Sequence, residues 1–274
     1  MKKNLVFLCL LLFWLVTNAQ DGNYVETNGV KIYYETYGSG EPLLLLHGFL
    51  GSHLNWSTWI EDLSKEYQLI VPDLRGHGRS TNPSDIFTHK LSAKDMFGLL
   101  DKLEIDHFKA IGHSSGAMTL IHMATMDTSR LTAMILVASS PYIPDEGRSI
   151  GRKMANSPIS DGLKSFIESR HPGGVEQGKK LLTQFGKLQD NYDDMNFTPP
   201  LLSTIKCQTL IINGDRDAFF PADLPVSLYN AIPNSFLWIV PKTGHYPVGI
   251  MGAESIWSDV ALKVFNEFLK GKWN

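Results

Sequence analysis

Gly112-His113-Ser114-Ser115-Gly116 decides the fold, because it joins an apolar, strand-like run at residues 108–111 to a helical pattern at 115–126. A G-x-S-x-G pentapeptide at a strand-to-helix turn holds its serine in a strained backbone conformation. The flanking glycines relieve crowding where chain segments approach closely. The serine hydroxyl is then presented at the edge of the sheet, and the first turn of the helix offers unpaired N–H groups to an oxyanion. The pattern predicts that Ser114 is a nucleophile.

Apolar runs and helix-like segments alternate along the rest of the chain. A hairpin comes first, with Asn28-Gly29 as its two-residue turn. Later runs are continuously apolar, as in strands buried on both faces, at residues 43–46, 68–71, 108–111, 131–138, 209–212 and 236–240. Helical spacing appears at residues 57–65, 92–103, 115–126, 222–231 and 253–269. This alternation predicts an α/β fold with a mostly parallel sheet, helices on both faces, and ligands beyond the carboxyl ends of the strands.

One segment, residues 141–204, interrupts the alternation. It contains no strand-like run, and its helical patterning is weak, at 162–170 and 177–188. It is interpreted as a helical insertion between two strands. No repeat and no sharp change of composition divides the chain, so residues 20–274 are expected to form one domain.

A serine nucleophile needs a base and a group that orients the base. His245 follows the last apolar run, on a loop that is expected to lie beside the nucleophile. Asp217 and Asp215 both follow the run at 209–212. Asp217 is preferred, because it lies further beyond the end of the strand, whereas Asp215 is well placed to close the turn by bonding its own backbone.

The composition is that of one ordinary globular domain. The chain has 274 residues with 25 basic and 28 acidic side chains, a formal charge of -3 and no long run of like charge. Nucleic acid is therefore not an expected partner. Neither a phosphate-binding loop nor metal-ligand spacing is present, so no cofactor or metal is expected. The oligomeric state is not indicated.

The remaining histidines show no constellation in the sequence. His47 and His77 are expected to brace loops. The others are expected to be surface or helix-packing residues: His53, His89, His107, His122 and His171.

The first 19 residues are typical of a secretory signal peptide. Lys2 and Lys3 precede an apolar run at 5–16, and small residues follow before Gln20. A membrane-spanning helix needs about 20 apolar residues, so cleavage and export to the periplasm or the medium are expected, with no stable membrane anchor afterwards. The mature chain would keep one cysteine, Cys207, which is expected to be buried and cannot form an internal disulfide.

The chain order Ser114, Asp217, His245, together with His47-Gly48 and the 73–80 segment DLRGHGRS, resembles the α/β-hydrolase fold family over residues 24–270. The resemblance is to its serine esterase and lipase-like branch. It implies that the N–H groups of Phe49 and Ser115 form an oxyanion hole and that residues 141–204 form a lid. Members that are dehalogenases or epoxide hydrolases have an aspartate in place of Ser114.

The sequence therefore predicts a serine hydrolase that cleaves carboxylic ester-type bonds of a small, apolar substrate through an acyl-enzyme. Candidate substrate contacts are Phe49, His113 and Phe219. The same triad also supports thioester, lactone or C–C bond hydrolysis, or perhydrolysis. A function of another class, a small-molecule receptor with a slow triad, stays open as the alternative.

Overall fold

A computed structural model describes residues 22–250 and 255–273. Within them, one sheet contains eight strands: β1 (Asn23–Thr27), β2 (Val30–Tyr37), β3 (Glu41–Leu46), β4 (Tyr67–Pro72), β5 (Phe108–His113), β6 (Leu131–Val137), β7 (Gln208–Gly214) and β8 (Ser235–Val240). A short 3-10 turn at His53–Trp56 precedes the helices. The helices are α1 (Ser57–Leu63), α2 (His89–Lys102), α3 (Ser115–Met126), α4 (Asp145–Asn156), α5 (Asp161–Glu168), α6 (Gly174–Leu188), α7 (Pro199–Leu202), α8 (Asp223–Ala231) and α9 (Ser258–Leu269).

The strand order is β1-β2-β4-β3-β5-β6-β7-β8. β2 pairs with β1 and β4 in antiparallel fashion, and all later pairings are parallel. Asn28 and Gly29 have φ of 47° and 75°, as the predicted hairpin turn requires. The predicted α/β fold with a mostly parallel sheet is confirmed.

Both faces of the sheet are covered by helices. Along β3, Leu44 and Leu46 pack into the cluster that contains residues of α2, α3 and α8. Leu43 and Leu45 point the other way, into the cluster under α1 and α9. Successive side chains of a strand alternate between faces, so an uninterrupted leucine run is what a strand between two helical layers requires.

Helices α4 to α7 lie between β6 and β7. Of these, α5 and α6 overlap the helical patterns seen in the sequence, whereas α4 was not predicted. α4 begins after Pro144 with Asp145 and Glu146 in its first turn, where acidic side chains favour a helix. It packs against α6. We call residues 141–204 the insertion.

A buried histidine fastens the insertion to the rest of the protein. The ring of His171 accepts the Gly78 N–H at 2.9 Å on Nδ1 and donates from Nε2 to the Leu50 carbonyl at 3.0 Å. Only the neutral ring can make both bonds, since one nitrogen must accept and the other donate. Burial lowers the pKa of His171, which favours this neutral form.

The predicted signal peptide and the start of the helix predicted at 253 lie outside the described residues. No helix within the described ranges is long and apolar enough to cross a membrane. Cys207 is buried, and burial raises the pKa of its thiol to about 11.

The free energy of unfolding should fall as the pH drops below the ordinary histidine pKa of 6.5. The unfolded chain then binds a proton that His171 does not hold in the folded protein, which costs about 1.4 kcal/mol per pH unit for each such histidine. Burial also lowers the pKa of four other histidines: His47, His77, His113 and His122. Urea unfolding down to about pH 5 avoids most carboxylate titration.

In that experiment, His171→Gln should reduce the pH slope, by at most about one proton, because an amide keeps a donor and an acceptor but does not titrate. His107→Gln is the matched control, since His107 is exposed. A slope unchanged by His171→Gln would contradict the conclusion that a neutral His171 ring attaches the insertion.

Candidate active site

Ser114 lies at the sharp turn between β5 and α3. Its φ is 52° and its ψ is -116°, a strained conformation for a residue with a side chain. The two glycines of the motif allow the close packing of this turn. A Cβ on Gly116 would lie 2.2 Å from the Leu46 carbonyl oxygen, and one on Gly112 would lie 2.6 Å from the Ala117 nitrogen.

The loops after β7 and β8 bring two further side chains to Ser114. His245 Nε2 lies 2.9 Å from Ser114 Oγ, and His245 Nδ1 lies 2.8 Å from Asp217 Oδ2. The other Asp217 oxygen accepts the N–H groups of Phe219 and Phe220 at 2.8 and 3.1 Å. Both oxygens of the Asp217 carboxylate thus accept hydrogen bonds, so the proton of the neutral His245 ring lies on Nδ1. The lone pair on Nε2 then faces the Ser114 hydroxyl.

The two candidate acids have different partners. Asp217 is 4% exposed and contacts His245. Asp215 was predicted to close the turn through its own backbone. Its Oδ1 instead accepts the Thr243 N–H at 3.2 Å and so fixes the loop that carries His245. That prediction was wrong, because the two loops lie side by side and Thr243 offers a free donor.

The two residues predicted to form the oxyanion hole flank Ser114. The Ser115 N–H lies in the first turn of α3, where N–H groups have no partner within the helix. Phe49 lies on the loop after β3. That loop approaches the turn closely, because a Cβ on Gly48 would lie 3.3 Å from the Ser114 Cβ. The Phe49 ring stacks on Phe185 of the insertion, with ring centroids 4.1 Å apart.

Two buried histidines hold these loops in place. His47 donates from Nδ1 to the Gly48 carbonyl at 2.8 Å and accepts the Leu74 N–H at 2.9 Å. His113 donates from Nε2 to the His245 carbonyl at 2.9 Å. Burial lowers the pKa of His47 to about 4 and, together with the nearby charge of His245, that of His113 to about 3. Both are therefore neutral supports near neutral pH.

A mainly apolar cavity adjoins Ser114 and His245. The three predicted substrate contacts all line it: Phe49, His113 and Phe219. The insertion contributes one wall through Ile143, Met154, Phe185 and Gln189. A larger, more open groove lies between residues 76–82 and α6, but no member of the Ser114, His245 and Asp217 group lines it, so size alone does not identify the site.

Four histidines expected to have no constellation are buried and bonded. His53 contacts Asp73, and His171 fastens the insertion. His89 and His122 both contact Asp194. The prediction failed because Asp194 is 105 and 72 residues away from them, and no local spacing reveals such a pairing. Within the described residues, no cluster of three histidine, cysteine or acidic side chains could hold a metal ion.

Known proteins share this architecture. The family model for the alpha/beta hydrolase fold matches residues 41–156. The uncharacterized hydrolase YugF of Bacillus subtilis is 26% identical over 246 residues, which cover 80% of this chain and 89% of that protein. The serine hydrolase BPHL of Mus musculus is 27% identical over 235 residues, or 81% and 79%. A solved meta-cleavage product hydrolase of Pseudomonas fluorescens has a TM-score of 0.74 at 22% identity, covering 92% of this chain and 98% of that one.

The sheet order, the strained serine turn and these similarities define one class of protein. The chain has the α/β-hydrolase fold, and like its relatives it is a hydrolase. The predicted resemblance is confirmed at this level.

Substitution of Gly116 by alanine should disrupt the turn. The new methyl group would overlap the Leu46 carbonyl, and overpacking of this kind costs about 1 to 3 kcal/mol. We expect a lower melting temperature and at least about tenfold slower labelling of Ser114 by a fluorophosphonate. Gly162→Ala in α5 is the control, since a Cβ there meets open space. Normal labelling of Gly116→Ala would show that the turn tolerates the displacement.

Proposed function

We propose that the protein is a serine hydrolase that cleaves carboxylic ester-type bonds of small, apolar substrates through an acyl-enzyme. The observation that carries this proposal is the continuous hydrogen-bonded line from Ser114 through His245 to Asp217, at 2.9 and 2.8 Å. A serine hydroxyl is a weak nucleophile at neutral pH, and a base so placed can take its proton.

In the first half-reaction, Ser114 Oγ attacks the substrate carbonyl while His245 Nε2 takes the hydroxyl proton. Asp217 holds the imidazole in the required tautomer and stabilises its positive charge. The tetrahedral oxyanion lies between the N–H groups of Phe49 and Ser115. The intermediate collapses to an acyl-enzyme on Ser114, and His245 gives its proton to the departing alcohol.

In the second half-reaction, His245 takes a proton from water as the water oxygen attacks the acyl carbonyl. The oxyanion forms again at the same two N–H groups. Its collapse breaks the bond to Ser114 Oγ, and His245 returns the proton to that oxygen. The acid leaves, and the serine is restored.

The cavity supports an apolar substrate. Its lining includes seven apolar side chains, namely Phe49, Met118, Ile143, Met154, Phe185, Phe219 and Phe220. Three of these belong to the insertion, which we propose as a lid. Apolar walls favour apolar acyl or alcohol groups and exclude water, and this exclusion strengthens the electrostatic interactions with the oxyanion.

Ser114→Ala should lower kcat for an activated ester by about 10⁴-fold or more while the melting temperature stays near that of the wild type. The wild type should release a burst of alcohol equal to the enzyme concentration if deacylation is slow. It should also bind fluorophosphonate at Ser114, as checked by peptide mass. A single slow turnover by the wild type would indicate a receptor instead, and activity retained in Ser114→Ala would exclude this nucleophile.

Asparagine substitutions at the two neighbouring acids should separate their roles. Asp217→Asn should lower kcat by about 10³ to 10⁴-fold, because an amide stabilises the wrong imidazole tautomer. Asp215→Asn should change kcat by less than about threefold, because its amide oxygen can still accept the Thr243 N–H. Equal losses in the two variants would contradict the assignment of Asp217.

A further inference from the structure

A second line of hydrogen bonds, buried and independent of the first, ends on the residue after the nucleophile. Ser115 Oγ lies 3.2 Å from His89 Nε2, and His89 Nδ1 lies 2.6 Å from Asp194 Oδ2. The side chains come from three places: the first turns of α3 and α2 and the insertion. All three residues are nearly inaccessible, with exposures of 1%, 0% and 4%.

Asp194 fixes the direction of the His89 ring. Its carboxylate accepts the N–H groups of His89 and Lys90 at 2.9 and 3.1 Å as well as the ring N–H. A carboxylate bound in this way is only an acceptor, so the His89 proton on Nδ1 points to it. The other ring nitrogen, Nε2, is therefore aimed at Ser115 and holds its hydroxyl in one direction.

Attachment of the insertion does not require this hydroxyl. Asp194 already binds the start of α2, and its carbonyl accepts a hydrogen bond from His122 at 2.7 Å. Nor does an oxyanion hole require it, because the main-chain N–H of residue 115 is present with any side chain but proline. Burial of polar groups is unfavourable unless they are paired. A buried imidazole that orients the Ser115 hydroxyl therefore indicates that this hydroxyl has a role of its own.

Ser115 also borders the cavity beside Ser114, together with apolar residues such as Met118 and Ile143. Its hydroxyl belongs to the same residue as the N–H that would bind the substrate carbonyl oxygen. A hydroxyl group on the acyl chain near that carbonyl is therefore the substrate group that we expect to lie closest to this side chain.

We propose that Ser115 determines specificity: its hydroxyl, oriented by His89 and Asp194, hydrogen-bonds a hydroxyl group on the acyl part of the substrate, close to the scissile carbonyl. The substrate class is then a hydroxyacyl ester whose remaining groups are apolar. This inference rests on the proposed function, since it assumes an acyl group bound between Ser114 and the N–H of Ser115.

Phenyl esters with one leaving group and different acyl chains test the inference: phenyl butanoate, phenyl 2-hydroxybutanoate and phenyl 3-hydroxybutanoate. Ser115→Ala keeps the oxyanion N–H and removes the hydroxyl. It should lower kcat/KM for at least one hydroxy ester about tenfold more than it lowers kcat/KM for phenyl butanoate. Comparing each ester with itself across variants cancels differences in intrinsic reactivity.

His89→Asn tests the positioning role, because its amide can still donate to Asp194 but is too short to reach Ser115. It should lower kcat/KM for the same hydroxy ester several-fold and leave phenyl butanoate nearly unchanged. Ser92→Ala is the matched control, since Ser92 is a buried serine on α2 whose hydroxyl donates to the Thr88 carbonyl, and it should change neither rate. Melting temperatures of all three variants show whether folding is preserved.

Equal losses for plain and hydroxy esters in Ser115→Ala, or no loss for either, would overturn the inference and leave the proposed function intact. Failure of the proposed function looks different: the wild type would hydrolyse none of the three esters, and Ser114 would not react with a fluorophosphonate.

Discussion

The positive φ of Ser114 is the constraint on which the site depends. A residue with a side chain holds that conformation only where its surroundings enforce it. Here the enforcing contacts are the near approach of α3 to the end of β3 at Gly116 and the packing of Gly112 on the start of the same helix. The turn carries the hydroxyl out of the sheet and places the first N–H groups of α3 beside it. The proposed nucleophile and half of the proposed oxyanion hole thus arise from one piece of backbone geometry.

Parallel strands position Asp217 and His245, the other two residues of the proposed triad. β7 and β8 run in the same direction as β5, so the loops at their carboxyl ends open at the same edge of the sheet. Asp217 and His245 reach Ser114 from these loops although His245 is 131 residues from it in sequence. Around them lie three buried imidazoles, His47, His113 and His171, whose hydrogen bonds fix main-chain carbonyls and N–H groups.

The sheet and its helices could be predicted because strands buried on both faces leave uninterrupted apolar runs, as in β3. The position of Ser114 followed from glycines that close packing demands. The sequence did not reveal elements with few apolar residues or hydrogen bonds between residues far apart in the chain. α4 contains two glycines, several charges and few apolar residues, so periodicity did not reveal it. The pairing of Asp194 with His89 depends on how the insertion folds back onto α2, which no local pattern encodes.

The loops of the sheet and the insertion contribute different parts of the site, and this affects how the enzyme can change. The proposed triad comes entirely from sheet loops, whereas Met154 and Gln189 come from the insertion and line the cavity. Replacement of these walls leaves the reacting groups where they are. Natural variation or directed evolution confined to these walls can therefore change which substrates the cavity accepts while the proposed catalytic residues stay in place.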